Sequence, residues 1–176
     1  MVENPAVKPK VATAGLVLTS AAVLILLALV PSTLLASELP AVVKVVLACV
    51  PLAAALTLLW LWGRRFAQRR TWTANADDRW RSFDDAKMSS GTSTELTLLS
   101  VEAVQPTGTW VTIRWNRFNH VQPAWIEALP EPLWVGYVLL IAPDPAQVMP
   151  GAPWPEAYFI RAADCLAWAP AQGRQV

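Results

Sequence analysis

VVLACVPLAAALTLLWLWG, residues 45–63, carries no charge over 19 positions and lies between Lys44 and Arg64. As an α-helix rising 1.5 Å per residue it matches a hydrocarbon core of about 30 Å. A second run of the same kind precedes it, the 27 uncharged residues between Lys10 and Glu38. Together they predict a two-helix transmembrane hairpin over residues 11–62, with spans at about 11–30 and 42–62. Pro31, Ser32 and Thr33 are expected to end the first span. The Ser37-Glu38-Leu39-Pro40 turn should start the second, with Pro40 near its first turn, where a missing N–H costs little. Lys44 lies one turn inside and can snorkel to the headgroups. Pro51 predicts a kink that a packed neighbour helix would tolerate. A signal peptide cleaved near Ala36 is the rival reading of the first run. Its length, Leu34 where a small residue is preferred, and the second span that follows argue against cleavage.

The rest of the chain fits this anchor. Of 176 residues, 55% are hydrophobic and 15% charged, with mean hydropathy +0.37; a soluble domain carries about 25% charge. Residues 1–62 hold three lysines against two glutamates, residues 63–90 seven basic groups against four aspartates, and residues 91–176 four arginines against seven carboxylates. The net charges of +1, +3 and −3 describe an anchor, a basic collar and an acidic domain. No basic stripe marks a nucleic-acid surface, so no nucleic-acid partner is expected.

Basic residues near the spans set orientation. Lys8, Lys10 and the amine lie before the first span, and Arg64, Arg65, Arg69 and Arg70 follow the second. The positive-inside rule then predicts a multi-pass protein of the cell membrane with both termini cytoplasmic, residues 1–10 forming an N-terminal tail. Trp60 and Trp62 should lie at the cytoplasmic interface. Small residues recur at Ala12, Gly15, Thr19 and Ala22 and at Cys49, Ala53 and Thr57, stripes that allow close helix approach within one hairpin or between copies. No ionisable residue lies deep in either span, which argues against a transporter or pump acting alone.

The four collar arginines are candidate contacts for lipid headgroups, although a plain topology signal accounts for them too. Residues 63–94 continue with a short amphipathic helix at about Ala76 to Met88, capped by Asn75, whose stripe Ala76, Trp80 and Phe83 should pack on the following domain or seat on the bilayer. Ser89 to Thr94 reads as a polar linker.

From residue 95 to 170 the pattern is β. Val111, Ile113 and Trp115 alternate with Thr112, Arg114 and Asn116, and Glu95 to Val104 shifts phase between Leu98 and Leu99 as a bulge would. Trp134 to Ile141 is apolar on both faces, with a bend at Gly136. Ala157 to Ala163, Cys165 to Trp168 and a weaker piece at Ala124 to Leu129 complete five or six strands, a small all-β barrel or roll whose six tryptophans supply much of the burial. Residues 171–176 form a C-terminal tail. The connection Ala142 to Glu156 holds five prolines, a Pro150-Gly151 turn signal, and Trp154 framed by prolines. Trp154 is therefore a candidate partner contact, or else the cover of an open barrel end.

Catalytic chemistry is sparse. One histidine, two cysteines and no phosphate-cradling glycine loop leave no catalytic, metal or cofactor site to name, and no cofactor is expected. Cys165 with His120 is the one nucleophile pair to weigh, and a solvated loop position for His120 argues against it. The expectation is a non-enzymatic integral membrane protein that anchors a small cytoplasmic β domain and binds a protein partner, a larger membrane complex or further copies of itself. A subunit of an oligomeric channel or transport assembly is the alternative, and a membrane-tethered thiol enzyme the remote one. No resemblance to a known family is evident in these residues.

Overall fold

A computed structural model describes residues 4–36, 38, 40–148 and 153–174. Parts of the expected turn at residues 37–40, and the whole Pro150-Gly151 turn, lie outside the described residues. The chain divides into two compact units, one of residues 9–71 and one of residues 1–8 with 72–176.

The first unit is built from α1 (Ala14–Ala36) and the first part of α2 (Ala41–Ser89), both long and apolar enough to cross a membrane. Leu18, Leu24, Ile25 and Leu56 are more than half exposed, an arrangement suited to apolar surroundings. Pro31 lies inside α1 and does not end it; only one backbone donor is lost there, and nothing else in Pro31–Ala36 breaks a helix. Pro40 accepts from the N–H groups of Val43 and Lys44 and so opens α2 from outside. The helices pair antiparallel. Trp62 Nε1 donates to Ser20 Oγ at 3.1 Å, and Arg65 donates to Val11 O and Thr13 Oγ1 at 3.3 and 3.2 Å. Among the described residues of this unit, Val23 of α1 and Pro51 of α2 are buried, which places the α2 proline on the packed side of the pair.

α2 is one helix of 49 residues. The amphipathic segment expected from Ala76 is therefore not a separate helix, and Asn75 is an interior position and not a cap. No proline lies between Trp62 and Ala76, so nothing removes a helical hydrogen bond there. The connection that follows is only Ser90 to Ser93.

In the second unit six strands form one curled, mixed sheet, a half-barrel and not a closed barrel, in the order β5-β3-β2-β1-β4-β6. They are β1 (Thr94–Gln105), β2 (Gly108–Trp115), β3 (His120–Glu127), β4 (Tyr137–Ile141), β5 (Tyr158–Ile160) and β6 (Cys165–Pro170). All neighbours are antiparallel except β3 and β5. The β1–β2 register shifts between Leu98 and Ser100, where the apolar alternation changes phase, and again between Val101 and Ala103. Gly136, at φ 92°, makes the bend before β4 that only glycine adopts without strain.

Two apolar clusters explain β4. Leu139 and Ile141 face the inner core with Leu96, Leu98, Ile113 and Ile126. Val138 and Leu140 face the other way, onto Trp80, Phe83 and Ala169. The stripe on the last part of α2 thus covers the outer face of β4 and β6. Trp80 Nε1 donates to Pro170 O at 3.0 Å, and the Arg174 guanidinium lies over the Trp80 ring at 4.8 Å. Arg174 and Lys87 both bond the Glu95 carboxylate at 2.9 Å, joining the chain's last described turn to α2 and β1.

Candidate binding surfaces

Among the described residues of this unit, the apolar stripe of α2 packs on β4 and β6 and does not extend over the outer face of β2, β3 and β5. Its strands present the alternate residues of the inner core. Val111, Ile113, Ala124, Ile126, Tyr158 and Ile160 point inward, and this leaves Trp110, Trp125 and Phe159 outward. The register places these three side by side, Trp110 opposite Trp125 and Trp125 opposite Phe159. Trp110 meets Trp125 at 5.3 Å and Phe159 at 6.2 Å, both edge to face, a geometry that aromatic quadrupoles favour. Phe159 is 52% exposed, and Val121 on the same face is 49% exposed. Gly108 belongs to this surface: a Cβ there would lie 2.6 Å from the Trp125 ring and 2.5 Å from the Ile126 carbonyl oxygen. The ladder was legible in part, since Trp110 shares strand parity with Thr112 and Arg114. The pairing with Trp125 was not, because Pro123 weakens the strand signal of β3. That proline lies just outside the stretch, Ala124 to Ile126, that β5 pairs with.

The free edge of β5 is closed by one side chain. Gln147 accepts from the Phe159 N–H at 2.8 Å and donates to its carbonyl at 2.9 Å, the pair of bonds a neighbouring strand would make. Asp144 arranges this connection. Its carboxylate accepts from the Ala146 N–H and the Gln147 amide, which hold it below the usual carboxylate range, and its own N–H donates to Tyr158 Oη at 2.9 Å.

Trp154 is half-buried at the mouth of the sheet. It stacks on His120 at 4.4 Å and packs against Trp115 and Phe118 at 5.2 and 5.6 Å. With the Gln122 amide oriented by its hydrogen bonds, Trp115 Nε1 donates to Gln122 Oε1 at 2.9 Å and Gln122 Nε2 donates to Pro155 O at 3.2 Å. This buried link holds the proline segment in place. His120 is therefore the first, half-buried residue of β3 and not a solvated loop position.

Cys165 stands on β6, with β4, β1 and β2 between it and the strand of His120. Burial pushes its thiol up to about 11, which keeps it protonated at neutral pH and makes it a weak nucleophile.

Of the collar arginines, Arg64 lies over the Trp60 ring at 5.6 Å and Arg65 turns to the start of the first helix. Arg64, Arg69 and Arg70 are exposed. Trp60 is exposed too, whereas Trp62 is turned into the helix pair by its bond to Ser20. The small-residue stripes do not form the seam of that pair: Ala12, Gly15, Thr19, Ala22, Cys49, Ala53 and Thr57 are all exposed. Comparison with protein families, with curated proteins and with solved structures finds no match for this chain.

Proposed function

We propose that this chain is an integral membrane protein of the cell membrane, anchored by its two apolar helices, whose sheet-bearing unit docks a protein partner or a larger membrane complex from the cytoplasm. The Trp110–Trp125–Phe159 ladder carries the reading, because rigid aromatic side chains on an uncovered sheet face supply contact area at small entropic cost. Both termini on one side is supported independently of charge. Residues 4–8 belong to the same compact unit as the sheet, as two crossings require. Arg64, Arg69 and Arg70 suit an anionic leaflet, each contributing about 1 kcal/mol near such a surface.

Co-purification from membranes tests the docking surface. The Trp125→Ala/Phe159→Ala chain is expected to lose a partner that wild type retains, and unchanged partners would overturn the reading. Trp154→Ala in parallel tells whether the proline segment contributes. For orientation, cysteine placed at the exposed Gln105, with Cys49 and Cys165 replaced by serine, should resist an impermeant thiol reagent until cells are lysed.

A second reading, a subunit of an oligomeric channel or transport assembly, is favoured by the outward stripes of small residues, which leave close-approach surfaces for other helices. A monomeric mass in detergent would remove it.

A further inference from the structure

We infer that the groove beside Trp72 is a binding site for a proline-containing, basic peptide segment of a partner protein, and that residues 4–8 of this chain rest against it as an internal stand-in. The groove encloses about 450 Å³ within the sheet-bearing unit, a volume usual for ligand clefts. Trp72, Asn75 and Arg79 of α2 line one part of it, and Pro132, Trp134 and Tyr137 before and at β4 another. Flat indole and phenol rings beside pyrrolidine rings are the walls that proline-rich segments dock against, and an indole N–H commonly takes a peptide carbonyl.

The chain already makes that contact. Pro5 lines the groove, and Trp72 Nε1 donates to its carbonyl at 2.7 Å. Two residues further on from Ala6, the Lys8 ammonium lies over the Trp72 ring at 5.8 Å. Asn4 fixes the segment: its amide donates to Val135 O at 3.1 Å and its side-chain oxygen accepts from the Ala6 N–H at 2.9 Å. A proline followed by a lysine is thus the chemistry this groove receives within its own molecule. The unit that holds the groove, residues 1–8 with 72–176, carries eight basic side chains against twelve acidic ones, and the groove's own Arg79 is paired with Glu131 at 2.7 Å, so the net charge of −4 favours a basic peptide over an acidic one. The resident segment competes at the high effective concentration of a tethered ligand, so loosening it should raise the apparent affinity for an external peptide.

The site is separate from the aromatic ladder, and a single titration series on the full chain in detergent distinguishes them. The probes are a dye-labelled synthetic peptide copying residues 3–10 and the same peptide with both prolines replaced by alanine, followed by fluorescence anisotropy. Saturable binding of the first is expected, at least about tenfold tighter than the second. Asn4→Ala in the chain should tighten it by about threefold or more. Trp72→Phe, which keeps a ring and deletes the donor, should weaken it by about threefold to tenfold when made in the Asn4→Ala chain, where the resident segment no longer competes. Trp125→Ala should leave it unchanged, even where that substitution removes the co-purifying partner. Equal binding of the two peptides, binding indifferent to Trp72→Phe in the Asn4→Ala chain, or no saturable binding to wild type or Asn4→Ala overturns the inference. A dimer that dissociates on Asn4→Ala, with no peptide binding, overturns it in favour of a second copy as occupant.

Discussion

The two halves of the sheet's outer face are both apolar, one aliphatic and one aromatic, and meet different fates. On β4 and β6, Val138, Leu140 and Ala169 are buried under Trp80 and Phe83. On β2, β3 and β5, Trp110, Trp125 and Phe159 pack on one another from strand to strand, and Phe159 stays half exposed. Burying a large apolar side chain stabilises by about 1.5–3 kcal/mol. The covered half therefore contributes its full burial to folding, while the half-exposed Phe159 of the other half contributes only part of its own. Apolar character alone does not tell which half is covered; what decides it is that the Trp80–Phe83 stripe of α2 packs on β4 and β6.

The sharpest way to break this comparison is a pair of truncations. Phe83→Ala should destabilise the unit by about 3–5 kcal/mol, since the ring is fully buried, whereas Phe159→Ala should cost under about 1 kcal/mol. Chemical denaturation followed by tryptophan fluorescence reads both, and equal losses would mean that the ladder is a second core. Next in size is Gly108→Ala. The added carbon meets the Ile126 carbonyl and the Trp125 ring, so a loss of about 1–3 kcal/mol is expected, together with a displaced Trp125. A silent substitution would show that the ladder tolerates rearrangement.

The smallest effect is a pH dependence of the Glu95 link on the covered half. Burial alone would raise the Glu95 pKa, but the bonds from Arg174 and Lys87 outweigh it and hold the group below its ordinary value of 4.5. A carboxylate depressed in the folded state stabilises fully above its unfolded pKa, and that stability is lost as pH falls through the folded pKa. Acid should thus loosen the Arg174–Glu95–Lys87 link, while Glu95→Gln flattens that acid limb at a cost under about 1 kcal/mol near pH 7, the partners being partly exposed. An unchanged limb in Glu95→Gln would place the acid sensitivity elsewhere.

Much of this fold was legible because its signals are local. Two charge-free runs define long apolar helices, the phase change at Leu98 marks the β1 irregularity, and Gly136 marks the bend before β4. The misplacements have local causes as well. Pro31 reads as a terminus because proline lacks a donor, yet one lost bond does not end a helix. Asn75 and Asp78 resemble a cap, but capping chemistry is used only where the preceding backbone leaves the helix, and here it does not. For the candidate surfaces, the proline framing marks Trp154 as either cover or contact, and its packing on Trp115, Phe118 and His120 shows how it is held. The pairing of Trp110 with Trp125 and the Trp72 groove are not legible in the sequence because each joins residues distant in it.

By itself, then, the sequence determined the apolar spans, the change from helical to strand periodicity near residue 94, and the charge polarity along the chain, since each depends on neighbours within a few turns or a few strand residues. Tertiary structure alone decided which face of β4 meets α2, which aromatic side chains remain uncovered, and how Pro5 comes to lie against Trp72. These follow from strand order and register, in which one helix covers one half of a curved sheet and geometry leaves the other half open.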